Sequence, residues 1–312
     1  MTDKSPFHVG EQAVQARFGL RERLAQTGAR MIRDFMPDEH RELFEDLPFV
    51  VAGSADKHGR LWASLLTGEP GFVRSPNARS LRIRAQPLPG DPLAESLAAG
   101  KALGLLGIEL PTRRRNRANG HVAHTASDGF ELAVEQSFGN CPKYIQARAG
   151  AFTPPTGVTA PSAERTLLSV EARRVLEGTD TAFIATSSTH PEQGGAQGLD
   201  VSHRGGRPGF LRARSEGDTT VVTMPDYSGN FLFNTFGNLE LNPRAGLLAL
   251  DFDSGDVLSL TGLARVLWDS PEVATFKGAE RLVEYRVERG VLWRGVASGW
   301  SRPELSPHLR DK

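Results

Sequence analysis

From Glu11 to Met36 the apolar positions recur at helical spacing. Ala13, Val14, Phe18, Leu20, Leu24, Met31 and Ile32 stand between Arg and Glu residues. This predicts a helical N-terminal segment over 1–46, closing with a short helix from Pro37-Asp38 through His40, Leu43 and Phe44. At Pro48 the period changes. Phe49 to Ala52 reads as a buried strand, Asp56 to Gly59 as a hairpin turn, and Leu61, Ala63 and Leu65 alternate into the next strand. Gly71 to Val73, Leu81 to Ile83, Leu103 to Leu110, Arg113 to Ala123 and Phe130 to Gln136 continue the series, with a loop and short helix over Pro87 to Ala99. Pro154, Pro155, Gly157 and Pro161 mark a linker, and Ala163 to Leu176 has helical spacing, so 151–180 reads as linker plus helix. Strands then restart at Ala182 and run to Val287. Two sets of about six short strands, each introduced by a helix, predict a mainly β (α+β) chain of two small antiparallel barrels, at 47–150 and 181–300. The polar stretch 301–312 reads as a loose tail.

The two sets repeat each other. Gly104, Leu105, Leu106, Glu109 and Gly120 can be laid on Gly246, Leu247, Leu248, Asp251 and Gly262 at a constant offset of 142. Pro70 to Arg74 matches Pro208 to Arg212 at 138, and Phe49 matches Phe183 at 134. The offset grows where turns and loops are expected, because loops accept insertions and strands do not. The copies differ in chemistry: Ser64-Leu65-Leu66 stands where the second copy has Ser202-His203-Arg204.

Bulk composition narrows the function classes. The 312 residues suffice for two domains, and 37 basic residues balance 37 acidic ones. No net field draws in nucleic acid or an anionic membrane. Cys141 is the sole cysteine, so a disulfide within the chain or a multi-thiolate metal site is excluded. No apolar run approaches the roughly 20 residues of a membrane span, and MTDKSPFHVGEQ has no signal-peptide core, so a cytoplasmic protein is expected. The histidines have no metal-ligand spacing, and P-loop and GxSxG patterns are absent.

Four stretches could carry chemistry. In SHRGGRPGF, alternation puts Ser202 and Arg204 on one face and His203 on the other; Gly205 and Gly206 would let a planar ligand lie against the backbone. Arginine there suits a phosphate, or else the run is an ordinary exposed strand end. In Met224 to Gly246 a strand leads through Ser228-Gly229-Asn230 into a helix bearing Thr235 and Asn238, either an anion-binding N-terminus or a routine cap. QSFGNCPKYIQAR gathers amide, thiol, ammonium and phenol groups; with no adjoining histidine, Cys141 reads as a bystander rather than a nucleophile. In TRRRNR, Arg113, Arg115 and Arg117 share one face, a solvated ladder or an anion site.

These runs, in this order, resemble the pyridoxamine 5′-phosphate oxidase-like FMN-binding split barrels. The resemblance is strongest over Gly198 to Val266, in VSHRGGRPGFLR, in MPDYSGNFLFNTFGNLELNPRAGLL and in the strand pair ending LTGLARV. FGNCPKYIQ is similar to a segment that follows the barrel in several members. The resemblance implies two tandem split barrels with FMN in a cleft between them. It implies phosphate and ribityl contacts from Ser202, His203, Arg204, Ser228, Gly229, Asn230, Thr235 and Asn238 of the second copy. Asn140, Lys143 and Tyr144 would reach in from the first copy or from the same copy of a partner chain. The implied activity is two-electron oxidoreduction of a small molecule, with oxygen or NAD(P)H as the other party. A flavin-binding carrier, sensor or redox partner without turnover is the alternative; a homodimer would fit the family, and haem or a deazaflavin would be a further adaptation. The substrate-phosphate pattern of true pyridoxamine 5′-phosphate oxidases finds only a loose echo in Trp293-Arg294 and Gly299-Trp300.

Overall fold

In the computed structural model the described residues are 5–150, 152, 160–188 and 198–309. The N-terminal segment forms three helices, α1 (Val9–Arg17), α2 (Arg21–Met31) and α3 (Asp38–Asp46). The single helix expected from Glu11 to Met36 breaks at Gly19, whose φ of 66° no helix interior accepts. His8 caps α1, its ring nitrogen accepting from the Gly10 and Glu11 amides while the Glu11 carboxylate accepts from the His8 amide.

The first barrel contains β1 (Phe49–Ala55), β2 (Leu61–Thr67), β3 (Val73–Asn77), β4 (Ser80–Ile83), α4 (Leu93–Ser96), β5 (Ala102–Glu109), β6 (Arg114–Ala126) and β7 (Gly129–Gly139). The second contains β8 (Ser162–Glu164), α5 (Val170–Gly178), β9 (Thr181–Thr186), β10 (Asp200–Gly205), β11 (Arg212–Glu216), β12 (Thr219–Tyr227), α6 (Asn234–Leu241), β13 (Arg244–Asp251), β14 (Asp256–Leu267) and β15 (Ala279–Trp293). The helix expected from Ala163 starts only at Val170. Residues 162–164 instead pair with β15, and Ser169 caps the helix, its own amide and hydroxyl held by Glu164. Of the linker expected over 150–161, residues 151 and 153–159 lie outside the described residues.

The first sheet runs β2-β1-β5-β6-β7-β4-β3, and the second β10-β9-β13-β14-β15-β12-β11, with β8 beside β15. Every strand of the first has its counterpart eight numbers on. The match reaches single residues. A bulge falls at Asn119/Gly120 on β6 and at Thr261/Gly262 on β14. A Cβ on Gly120 would lie 1.8 Å from the Ala133 carbonyl oxygen, and one on Gly262 would lie 2.1 Å from that of Arg286. Both bulges therefore require glycine. On β1 and β2, Ala52 pairs with Ser64 and with Leu105; on β9 and β10, Ile184 pairs with Ser202 and with Leu247. Ser64-Leu65-Leu66 thus occupies the place of Ser202-His203-Arg204. The same registers correct one equivalence. Val51 pairs with Leu106 as Phe183 pairs with Leu248, so Phe183 corresponds to Val51 and not to Phe49. A slip of two residues keeps every side chain on its face, so the hydrophobic pattern alone does not detect it.

Each barrel has its own apolar core, and a third apolar cluster fills the seam between them, with Phe49, Val51, Leu65, Leu106, Phe183, Val201, Leu248 and Trp293. The seam is pseudo-symmetric. Gly104 of β5 lies against the backbone of Leu199 and Asp200, and Gly246 of β13 against the backbone of Trp62, with Trp62 and Asp200 at equivalent places. Arg117 Nε donates to the Val201 carbonyl at 2.8 Å, and Ser259 Oγ donates to the equivalent Ala63 carbonyl at the same distance. This is the reciprocal contact pattern of a two-fold dimer, made within one chain.

The expected loose tail is tied down as far as it is described. Ala147 and Glu304 exchange backbone hydrogen bonds, and Leu309 is buried. No helix among the described residues is long and apolar enough to cross a membrane.

Candidate functional site

One cleft opens at one end of the seam, lined from both barrels. The first barrel contributes Arg115 and Arg117 from β6, and Asn140, Cys141, Lys143 and Tyr144 from the segment after β7. The second contributes Ser202, His203, Arg204 and Gly205 of β10, Asp226 of β12, residues 229–231 and 233–236 leading into α6, and Arg281 of β15. Nine of the eleven residues expected at a site therefore line one cleft: Ser202, His203, Arg204, Gly229, Asn230, Thr235, Asn140, Lys143 and Tyr144.

The other two do not. The Ser228 carbonyl accepts from Tyr144 Oη at 2.9 Å and from Lys143 Nζ at 3.4 Å, so the contact it offers is to protein. Asn238 is fully buried on the far side of α6. It bonds His8 Nε2 at 2.9 Å and donates to Thr186 and Asp200. Two local expectations also change. Helix α6 starts at Asn234 after Phe233, not directly at Ser228-Gly229-Asn230. The Gly205-Gly206 pair makes room for protein rather than ligand: a Cβ on Gly205 would lie 2.1 Å from the Tyr144 carbonyl oxygen, and one on Gly206 2.5 Å from the Phe210 side chain.

The polar groups form two nets. In one, Asp226 lies between two guanidiniums, 2.7 Å from Arg204 Nη1 and 3.5 Å from Arg281 Nε. Arg281 is boxed by the rings of Phe18, Phe233, Phe236 and Trp268, with its guanidinium carbon 5.0–5.8 Å from their centroids. In the other, Arg117 donates to Asn234 Oδ1 at 2.7 Å and to Ser202 Oγ, which also accepts from Thr235 at 2.9 Å. Asn234 in turn donates to Glu11 of α1. That reach is allowed by a backbone-to-backbone approach of α1 and α6, where a Cβ on Gly10 would lie 2.1 Å from the Gly237 carbonyl oxygen.

The cleft is electropositive and short of acceptors. Among the described residues its lining holds five cations, Arg115, Arg117, Arg204, Arg281 and Lys143, against two carboxylates, Asp226 and Glu280. Burial lowers Arg115 to about 10. Burial, and then Arg115 and Arg204, keep His203 neutral by pushing it well below its usual range. Arg204 Nε, Arg281 Nη1, Asn140 Nδ2 and both His203 ring nitrogens are buried with no hydrogen-bond partner. Unpaired buried polar groups cost roughly 1–3 kcal/mol each; Arg204 Nε, Arg281 Nη1, Asn140 Nδ2 and the single N–H of the neutral His203 ring are donors, so the set is matched to an acceptor-rich, anionic ligand. Backbone strain gathers here too: Tyr144, Phe231 and Phe233 have φ near 60–66°, sparsely allowed for residues with a Cβ. The enclosed part measures about 110 Å³, below the roughly 300–1,000 Å³ of a pocket for a whole drug-sized ligand.

The pseudo-equivalent place in the other half of the seam is filled. Leu65 and Leu66 stand for His203 and Arg204, and Val257 and Ser259 for Arg115 and Arg117. Trp293 is buried there with Nε1 on the Pro89 carbonyl at 2.8 Å, and Ser64 donates to Asp91 at 2.6 Å. Nothing in the local sequence marks Asp226 or Arg281, which are ordinary charges at strand ends. Arg115 and Arg117 were visible as a face of TRRRNR, but nothing local told that this face meets the other barrel.

No family model and no curated protein matches the chain. Among solved structures, HupZ of Group A Streptococcus is similar over 44% of this chain and 100% of its own, at 12% identity and a TM-score of 0.30. A FAD-binding protein of Mesorhizobium loti is similar over 43% of this chain and 99% of its own (12% identity, TM-score 0.27). A protein of Clostridium acetobutylicum related to general stress protein 26, of the pyridoxinephosphate oxidase family, is similar over 41% and 88% (12% identity, TM-score 0.25). Each match spans nearly all of a protein about half as long as this one. At these scores the similarities carry nothing on function; the strand order itself defines the fold as two split barrels with flanking helices.

Proposed function

We propose that the chain is a flavin-binding protein of the pyridoxamine 5′-phosphate oxidase-like class, with one FMN in the cleft, and that it oxidises or reduces a small molecule. The observation that carries this reading is the set of buried, unpartnered donors on a cationic floor, supplied from both sides of the seam. The residues fit the anionic end of a flavin nucleotide. Arg204, braced by Asp226, would take the phosphate with His203 and Asn140 beside it. Gly229, Asn230 and Thr235 would border the ribityl chain, and Lys143 and Tyr144 would hold the Ser228 turn that closes the cleft. The enclosed volume suits the phosphate end, so the ring system would extend along the open part.

Bound flavin would supply two-electron chemistry, with oxygen or NAD(P)H as the other redox party. The chain's own part is to desolvate the phosphate, fix its register and exclude water at the closed end. On this reading 47–150 and 181–300 are copies of one module whose fusion puts both sides of the cleft in one chain. A second chain is then not needed to complete it, and a cytoplasmic setting suits such a cofactor.

The purified protein is expected to be yellow. Arg204→Ala should lose flavin at least tenfold more readily than wild type, while Leu66→Ala, at the equivalent strand position, should retain it. Equal retention in both variants, or colourless wild type that takes up no added FMN, would refute the assignment. Bleaching of bound flavin by NADH or NADPH then separates an enzyme from a passive binder.

A further inference from the structure

A second cavity of about 490 Å³ lies on the other side of the Arg117–Asn234–Ser202 net, where α1 and the chain after α2 cover the bulge of β6. Its chemistry is the reverse of the first. Among the described residues the lining holds four carboxylates, Glu11, Asp34, Glu135 and Asp200, and one arginine, Arg33. Two acceptors in it are buried and unpaired. Asp200 is 4% exposed and its Oδ1 takes no hydrogen bond; the nearest cation, Arg117, stands off at 3.8 Å. Asn119 is 3% exposed, turned inward by the bulge, and its Oδ1 also has no partner. Glu11 also lines the cavity and is 5% exposed, with its oxygens on Asn234 and the His8 amide. Phe7, Phe138 and Ile32 supply an apolar wall.

We propose that this cavity binds a primary amine carrying a small apolar body, with the ammonium on Asp200, Asn119 and Glu11 and the body against Phe7 and Phe138. An ammonium brings three donors and no acceptor, which is what two orphaned oxygens and a neighbouring carboxylate lack. It also brings the positive charge that this part of the interior is short of, and a buried carboxylate without a hydrogen-bonded cation is costly. Burial pushes Glu11 up to about 7 and raises Asp200 as well, the response of carboxylates without a full counter-charge. Among the described lining residues an anion would face the buried Glu11 and Asp200, with Asp34 and Glu135 at the exposed rim already paired with Arg79 and His121, and Arg33 the one arginine. The volume falls within the range of small-molecule sites. The inference does not rest on flavin binding in the first cleft.

Benzylamine, benzyl alcohol and benzoate are matched probes of one shape and three charges. Titrated into the full chain by calorimetry, benzylamine is expected to saturate at one per chain, while benzyl alcohol and benzoate do not. Asp200→Asn should weaken benzylamine at least tenfold, and Asn119→Ala should weaken it several-fold. Saturating FMN should leave its affinity unchanged. Benzoate binding as well as benzylamine, no saturable benzylamine binding, or indifference to Asp200→Asn would overturn the site. Displacement by FMN would overturn it too, by making the cavity part of the first cleft. Should Asp200→Asn fail to fold, the three-probe comparison on wild type still decides.

Discussion

Glu11 is the residue at which folding and the candidate site meet. It closes the α1 capping box, accepts from Asn234, and through that amide holds Arg117. Burial raises its carboxyl from the ordinary 4.5 to about 7. The folded chain therefore keeps a proton that the unfolded chain has released. The contribution of this group to stability is greatest below about 4.5 and falls as pH rises through 7, by up to about 1.4 kcal/mol per pH unit. Gln at this position keeps the acceptor for Asn234 and removes the titration. Thermal melts from pH 5 to pH 8 should show Glu11→Gln gaining on wild type as pH rises; parallel curves would contradict this. Sequence reading reached Ser202, His203 and Arg204 because their alternation on one strand is local. It included Asn238 because helical spacing does not tell which face of α6 looks into the cleft. It passed over Glu11, whose partner is more than two hundred residues away.

At the scale of elements, strands were more legible than helices. The strands carry alternating patterns bounded by turn residues, and the expected set follows β1 to β7 and β9 to β15 in order, though the third overlaps β3 at Val73 alone, the strand expected at Phe210 begins only at Arg212, and β15 runs well past Val287 to Trp293. The helical errors have local causes. Gly19 interrupts one helix, and Ser162 to Glu164 are taken by the edge of β15 before α5 can begin. The bulge glycines are the sharpest test of the repeat. Gly262→Ala and Gly120→Ala should each destabilise by about 2 kcal/mol or more, since the added methyl meets a carbonyl oxygen that the sheet holds in place. Gly178→Ala, with open space around its would-be Cβ, should be neutral or slightly stabilising. Equilibrium urea unfolding of the three variants checks this; a harmless Gly262→Ala would remove the steric reading of the bulge.

The whole molecule is two barrels docked by a seam whose contacts repeat under a pseudo-two-fold and whose chemistry does not. At one end, leucines, Val257 and Trp293 fill the space; at the other, arginines, His203 and unpaired donors surround a cleft. The offset repeat announced two modules, and the exchange of Leu65-Leu66 for His203-Arg204 announced which half is polar. That the segment after β7 of the first barrel completes the second barrel's site was legible only through family resemblance, because no periodicity reports how two barrels dock. Two barrels of matching strand order could offer two equivalent clefts; the polar cleft lies at one end of the seam, and apolar side chains fill the equivalent place at the other. The most direct test is the binding stoichiometry of FMN on the full chain, measured by fluorescence titration at a chain concentration well above the dissociation constant. One FMN per chain, lost with Arg204→Ala, is the predicted result; two per chain, or none, would contradict the account.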